Sequence, residues 1–304
     1  MNHCAGILLV TVLLLPGAAS PQTSEAEAPR PPMLLGVCSR DSLQQEPYGE
    51  WFEKNYEEYE PHAEIVSDLR AAGLEGTAIS IFFGSWCGDS KREVPRFLKL
   101  LDAISFPSDQ VTLIAVTNED SSLKQSPGRE ERDLGIYRVP TFIVSKNGTE
   151  IHRIVEYPVL SLERDLLAIL SKQPYTPNYR SFPTIALWLT TGLLEDENVS
   201  HRGLANQIRS DVTSEGELNA VGYVLLAQGR TRAAVKVLQM NCVLYPESAN
   251  RYLALAQGLH RHGDDATARR MLQRALELND DPERLDPMLE LLSQLRVSDT
   301  DSSE

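Results

Sequence analysis

Apolar residues follow two different rhythms along this chain, and the change of rhythm divides it. Through residues 33–173, short apolar runs alternate with amphipathic stretches. Positions 50–72 carry helix-like spacing, interrupted by Pro61. Thr77 to Phe83 is a β-branched and aromatic run that stops at Gly84, the mark of a buried strand. Val94, Phe97, Leu98, Leu101 and Ile104 then fall on one helical face. Residues 111–116 and 141–145 predict two more strands. Lys146-Asn147-Gly148-Thr149 predicts a hairpin turn, because Asn-Gly tolerates the positive φ such turns need. Residues 151–155 give the returning strand, and 161–171 a closing amphipathic helix. This order predicts an α/β architecture, a mixed sheet flanked by helices on both faces.

From 181 to 295 the strand rhythm stops and an internal repeat begins. Gly229 recurs as Gly263, Ala234 as Ala268 and Leu238 as Leu272, each 34 residues on. Each unit reads as two helices joined at the glycine. The first contains Gly222-Tyr223, Leu226, Ala233-Ala234 and Tyr245-Pro246, and the second Tyr252, Leu255, Gly263-Asp264 and Ala268. Residues 216–280 thus resemble tetratricopeptide repeats, which implies an all-α domain with a concave face for a protein or peptide partner. Such units bury their apolar faces only against neighbours. Residues 183–195 and 200–212 are therefore expected to form a third, degenerate pair, and 283–295 a capping helix.

The ends read differently. Residues 5–16 are almost wholly apolar and small residues follow at 17–20, so 1–20 predicts a secretory signal peptide, although no Lys or Arg precedes the run. The alternative is an uncleaved anchor, for which the run is short against the ~20 residues a bilayer needs. Residues 21–32 read as a disordered linker and 296–304 as an acidic tail. No other segment could span a membrane. The expectation is an exported protein, periplasmic or secreted, of bacterial type.

Composition narrows the classes. The 304 residues, 42% hydrophobic and 24% charged, fit two globular domains. A net charge of -14 argues against a nucleic-acid partner. The histidines show no metal-ligand spacing, and neither a metal nor a cofactor is expected. The four cysteines, Cys4, Cys38, Cys87 and Cys242, are too few for a disulfide scaffold, and no two are spaced as in a zinc knuckle. Signal cleavage would remove Cys4.

The candidate chemistry lies in one loop. The strand ending at Phe83 runs into Gly84-Ser85-Trp86-Cys87-Gly88-Asp89-Ser90, and a helix follows. Cys87 therefore sits at a helix N-terminus, where unpaired N–H groups and the helix dipole favour a thiolate. Lys91 and Arg92 would add to that effect and Asp89 would oppose it.

Here the sequence resembles the thioredoxin superfamily. Trp86-Cys87-Gly88 matches the start of its Trp-Cys-Gly-Pro-Cys loop, and Pro95 its helix proline. Val139-Pro140-Thr141 matches its cis-proline segment and Lys146-Asn147-Gly148 its hairpin. These motifs span roughly a third of the chain, and residues 51–170 also resemble a bacterial thioredoxin-like subgroup. The resemblance implies thiol–disulfide exchange with protein thiols or disulfides. Cys87 would be the nucleophile, and Trp86, Val139, Pro140 and Thr141 would form the substrate groove.

The chain also departs from the family. Ser90 replaces the second cysteine and is expected to act at the site with Cys87 as a hydrogen-bond donor to the thiolate, not as a resolving thiol, and Asp89 replaces the loop proline. Ile81 stands where the family has a buried carboxylate that assists proton transfer, and Glu156 where it has a glycine beside the cis-proline loop, a change expected to put a negative charge near the thiol. Release of a mixed disulfide would then need Cys38, an external thiol such as glutathione, or a partner protein. Cys38 is either that resolving thiol or unpaired, and Cys242 is expected to pack between helices. Two alternatives stay open. Cys87 could be inert in a scaffold or chaperone-like module. The Cys-Gly-Asp-Ser loop could also hold glutathione or an iron–sulfur cluster, as in monothiol glutaredoxins with Cys-Gly-Phe-Ser, although export and the aspartate argue against this.

Overall fold

The computed structural model describes residues 31–301, with side chains to residue 296. The expected signal peptide over 1–20, Cys4, most of the 21–32 linker and the end of the acidic tail lie outside the described residues. The chain enters through β1 (Gly36–Cys38), α1 (Arg40–Leu43), α2 (Gly49–Glu57) and α3 (Ala63–Ala71). It continues through β2 (Thr77–Phe83), α4 (Gly88–Ala103), β3 (Val111–Ala115), β4 (Thr141–Lys146), β5 (Thr149–Val155) and α5 (Leu162–Leu170). The strands form one mixed sheet in the order β1-β3-β2-β4-β5. β2 and β3 run parallel and the other neighbours antiparallel. The break near Pro61 separates α2 from α3, since a proline lacks the N–H that a continuous helix needs there. Asn147 and Gly148 close the β4–β5 hairpin with φ of 51° and 80°.

Strand alternation sorts the core into two faces. Ile79, Ile81 and Phe83 share one cluster with Phe52, Leu69, Val94, Phe97 and Leu166, so α2 to α5 all contribute to this side. Phe82 faces the other way, with Ile114, Ile136, Val139 and Ile143, and with Trp86 and Cys87 packed against them. Helices were expected on both faces of the sheet. Instead, the second face is closed at the Cys87 end by the segment joining β3 to β4. That segment has no apolar stripe to make a helix: it reads Asn118-Glu119-Asp120, then Gly128-Arg129-Glu130-Glu131-Arg132-Asp133. Hydrogen bonds fix it. Thr117 is bonded on both sides of a tight loop (Thr117 N–H to Gln125 O 3.0 Å, Lys124 N–H to Thr117 O 2.9 Å). Buried Glu131 accepts the Ser126 N–H at 3.0 Å.

The rest of the described chain is helical: α6 (Ser181–Thr190), α7 (His201–Ile208), α8 (Glu215–Ala227), α9 (Thr231–Leu244), α10 (Ala249–His262), α11 (Asp265–Leu278) and α12 (Leu285–Asp301). The capping helix expected over 283–295 starts with a 3-10 turn at Pro282–Arg284 and runs on to Asp301, into the expected tail. The 34-residue spacing has structural equivalents. Gly229 and Gly263 both take left-handed φ, 76° and 90°. Ala234, Ala268, Leu238 and Leu272 are all buried. The Tyr223 hydroxyl donates to Gln257 Oε1 at 2.8 Å, one period away. Among the described residues no helix is long and apolar enough to cross a membrane.

Gly222 sets how closely α8 and α9 approach. A Cβ there would lie 2.5 Å from Leu238 Cδ2 and 2.7 Å from its Cγ, and Leu238 is fully buried and also abuts Gly258. Gly222→Ala should therefore destabilise the fold by about 1–3 kcal/mol, overpacking outweighing alanine's better helix propensity. A urea melt at or above the wild-type midpoint would contradict this.

The helical region meets the sheet near Cys87. Tyr137 packs edge-on to Phe182 with centroids 5.1 Å apart, and Tyr179 stacks on Phe182 at 5.0 Å. Arg138 reaches into α8, donating to Gly216 O at 3.0 Å.

Candidate functional site around Cys87

The loop after β2 is built so that Cys87 ends it. The Cys87 N–H bonds Gly84 O at 2.9 Å, and the Cys87 carbonyl accepts the Lys91 N–H at 3.0 Å, which makes Cys87 the N-cap of α4. Gly84 is required because the Trp86 indole folds back over it, 2.5 Å from where a Cβ would stand. Trp86 is held there by its Nε1–H bond to Val116 O at 2.9 Å. Ser90 is fully buried, and its hydroxyl accepts the Gly84 N–H at 3.1 Å, which ties the first turn of α4 back to the strand.

The structure brings the Val139-Pro140-Thr141 segment against this loop. The Cys87 thiol, half-buried, donates to Val139 O at 3.3 Å. The Val139–Pro140 peptide is cis, and Thr141 Oγ1 donates to Arg138 O at 2.7 Å. Trp86, Cys87, Val139 and Pro140 thus lie together at one end of the sheet.

The charged residues pair mostly among themselves. Arg92 bonds Asp89 at 2.8 Å and buried Glu93 at 2.6 Å, so neither Asp89 nor Arg92 is a free charge for the thiol. Lys91 sits half-buried on the same first turn. Glu156 is largely buried beside the cis-proline segment, its N–H donating to Pro140 O at 2.7 Å. Its carboxylate is paired with Arg138 at 3.3 Å and accepts the Tyr179 hydroxyl. Burial pushes the Glu156 pKa up and Arg138 opposes that rise.

Cys38 is not brought to the loop. It pairs with Leu113 in β1, two strands from β2, and its side chain packs into the cluster on the opposite face from Cys87. Adjacent strands lie ~4.8 Å apart, so a Cα separation within disulfide reach is not available without moving the backbone. Burial also raises the Cys38 pKa to about 11. We expect Cys38 to resist alkylation at neutral pH and to label faster as pH climbs toward that value. Rapid labelling at pH 7, read by peptide mass spectrometry, would contradict this. Cys242 is buried in the helical core, and burial lifts its pKa to about 12.

Three residues of this site carried no sequence signal: Lys124, Arg138 and Tyr179. Lys124 stands on the loop after β3, with Nζ 5.9 Å from the centre of the Trp86 ring. Burial, assisted by Arg138, lowers its pKa to about 8, while Cys87 and Glu156 act to raise it. The arrangement offers a half-exposed nucleophilic sulfur at a helix N-terminus, an aromatic wall, an extended backbone edge and a nearby amine. Among the described residues no second thiol is within reach, and no three His, Cys, Asp or Glu side chains gather to hold a metal ion. The chain matches no protein-family model, no curated protein and no solved structure.

Proposed function

We propose that this chain is an exported, monothiol, thioredoxin-like protein that performs thiol–disulfide exchange through Cys87, with the tetratricopeptide-like helices recruiting the protein partner. The observation that carries the reading is the Cys87 thiol, half-exposed at the α4 N-cap and held against Val139 O at 3.3 Å. Val139 belongs to the segment that resembles the family's substrate-pairing strand. In the reaction, the Cys87 thiolate bonds one sulfur of a disulfide. The S–S bond breaks, and the second sulfur leaves as a thiolate that takes up a proton. Cys87 is left in a mixed disulfide, and an external thiol releases it by attacking the Cys87–sulfur bond. Cys38 is too far removed to do this. The helical region supports recruitment because it packs beside the Cys87 end of the sheet, through Arg138 and Tyr179.

The test is incubation with a small disulfide, followed by mass spectrometry of the Cys87 peptide. A mixed disulfide on Cys87 at neutral pH, reversed by glutathione, is expected. A folded protein whose Cys87 stays unmodified would sink the reading.

A further inference from the structure

Three consecutive carbonyls beside the thiol are held by hydrogen bonds, and the holding reaches into the helical region. Arg138 O accepts the Thr141 hydroxyl at 2.7 Å, Val139 O accepts the Cys87 thiol at 3.3 Å, and Pro140 O accepts the Glu156 N–H at 2.7 Å. A disulfide that exchanges with Cys87 therefore comes up beside this short backbone edge. The guanidinium of Arg138, one residue before the Val139 carbonyl, is bound on three sides. It pairs with the Glu156 carboxylate at 3.3 Å, donates to Gly216 O at 3.0 Å and lies over Tyr179, 5.2 Å from the ring centre. Tyr179 in turn donates to Glu156. Gly216 stands in the first turn of α8, and that turn is itself anchored in the helical core. Asn241 of α9 donates to Glu215 O at 2.9 Å, and buried Arg251 of α10 pairs with the Glu215 carboxylate at 2.7 Å. Bonded contacts thus run without a gap from α9 and α10 through α8 and Arg138 to the edge that faces the sulfur.

Resting on the thiol-exchange reading, we propose that Arg138 is a positioning residue of the Cys87 site: it fixes the Val139–Pro140 backbone edge against the start of α8, so that the helical region sets where the backbone of a peptide disulfide lies. The sulfur is placed separately. Cys87 takes its position from its N–H bond to Gly84 O at 2.9 Å and from its place as the N-cap of α4. Arg138 therefore acts on the edge and leaves the thiol where it is. A guanidinium suits this task because its donors form a rigid planar fork, which here holds Glu156 and Gly216 O at once. A lysine ammonium carries the same charge on a flexible stem and cannot span both acceptors in a fixed direction. Misplacing a substrate by ~1 Å costs up to ~100-fold in rate, so an edge left loose by one lost tether matters. On this proposal the helices do more than recruit a partner, since they also carry the support on which the edge is set.

The experiment compares two disulfides that differ in whether they carry a peptide backbone. One is the symmetric disulfide of two Ala-Val-Cys-Ala-Val pentapeptides blocked at both ends, and the other is hydroxyethyl disulfide. Both expel an alkyl thiolate, so the sulfur chemistry is matched. Rates of adduct formation on Cys87, read by mass spectrometry of its peptide, are measured for wild type, Arg138→Met and Arg138→Lys, with circular dichroism verifying the fold. The expected result is a rate on the peptide disulfide lowered about 10-fold in both variants, with less than about a twofold change on hydroxyethyl disulfide. The ratio of the two rates therefore falls. A general loosening of the thiol loop slows both probes alike and leaves that ratio where it was. A wild-type ratio in either folded variant overturns the proposal: in Arg138→Met because the side chain is then not needed, and in Arg138→Lys because charge alone then suffices. Should Arg138→Met fail to fold, Arg138→Lys decides by itself. Wild-type protein unreactive at Cys87 toward both probes instead overturns the thiol-exchange reading itself.

Discussion

Replacement of Cys87 by serine is expected to remove mixed-disulfide formation at neutral pH by more than about 1,000-fold while leaving the fold intact. Serine is close to cysteine in shape, and Cys87 is the N-cap of α4 with no side-chain bond of its own to the helix. A serine hydroxyl at an N-cap accepts a first-turn N–H, which is worth about 0.5–2 kcal/mol relative to a residue that does not cap. The variant should therefore melt at or slightly above the wild-type temperature, with its reactivity gone. These two readouts separate chemistry from structure. If Cys87→Ser still forms the adduct at the wild-type rate, the reacting sulfur is elsewhere. If reactivity and melting temperature fall together, the loss says nothing special about the sulfur, and the chemical role assigned to Cys87 is unsupported.

Phe97→Ala should be the most damaging core change in the sheet region. Phe97 and Phe142 are both fully buried, with ring centroids 4.4 Å apart, and this contact seats α4 on the middle of the sheet. Removing the ring leaves a cavity enclosed by other buried side chains, at a cost of about 3–5 kcal/mol. Domains commonly have only about 5–15 kcal/mol in total, so the urea midpoint should drop sharply. Because α4 begins at Cys87, the surviving folded protein should also show a less well-fixed thiol loop. A midpoint within experimental error of wild type would mean that α4 is not anchored through this pair.

The sequence made some of this visible and left other parts dark for physical reasons. β2, α4 and the β4–β5 hairpin were readable because their signals are local: a β-branched run, a helical stripe and an Asn-Gly turn. The Cys87 loop was readable for the same reason, since strand, loop and helix follow one another directly. β1 went unseen because three residues, Gly-Val-Cys, carry no period at all. The one-sided placement of α2 to α5 was also hidden, because an amphipathic stripe says that a helix buries one face but not which side of a sheet receives it. Lys124, Arg138 and Tyr179 reach the site from separate parts of the chain. The Arg138 bond to Gly216 spans 78 residues, and no local pattern can foretell a contact of that kind. Glu156 was expected to place a negative charge near the thiol. What the sequence could not express was its pairing, with an arginine and a tyrosine already occupying the carboxylate.

Ser90 marks the position at which a second thiol would enter the loop. Its side chain points inward one helical turn from Cys87, fully buried and used only as an anchor for the Gly84 amide. Residues at this spacing on a helix hold their Cβ atoms about 5–6 Å apart, near the range from which a disulfide can close with small adjustment. Cysteine differs from serine by one atom, oxygen for sulfur. The distance between this monothiol loop and a dithiol one is therefore a single substitution. On the thiol-exchange proposal, that one substitution would change the reaction cycle without rearranging the fold.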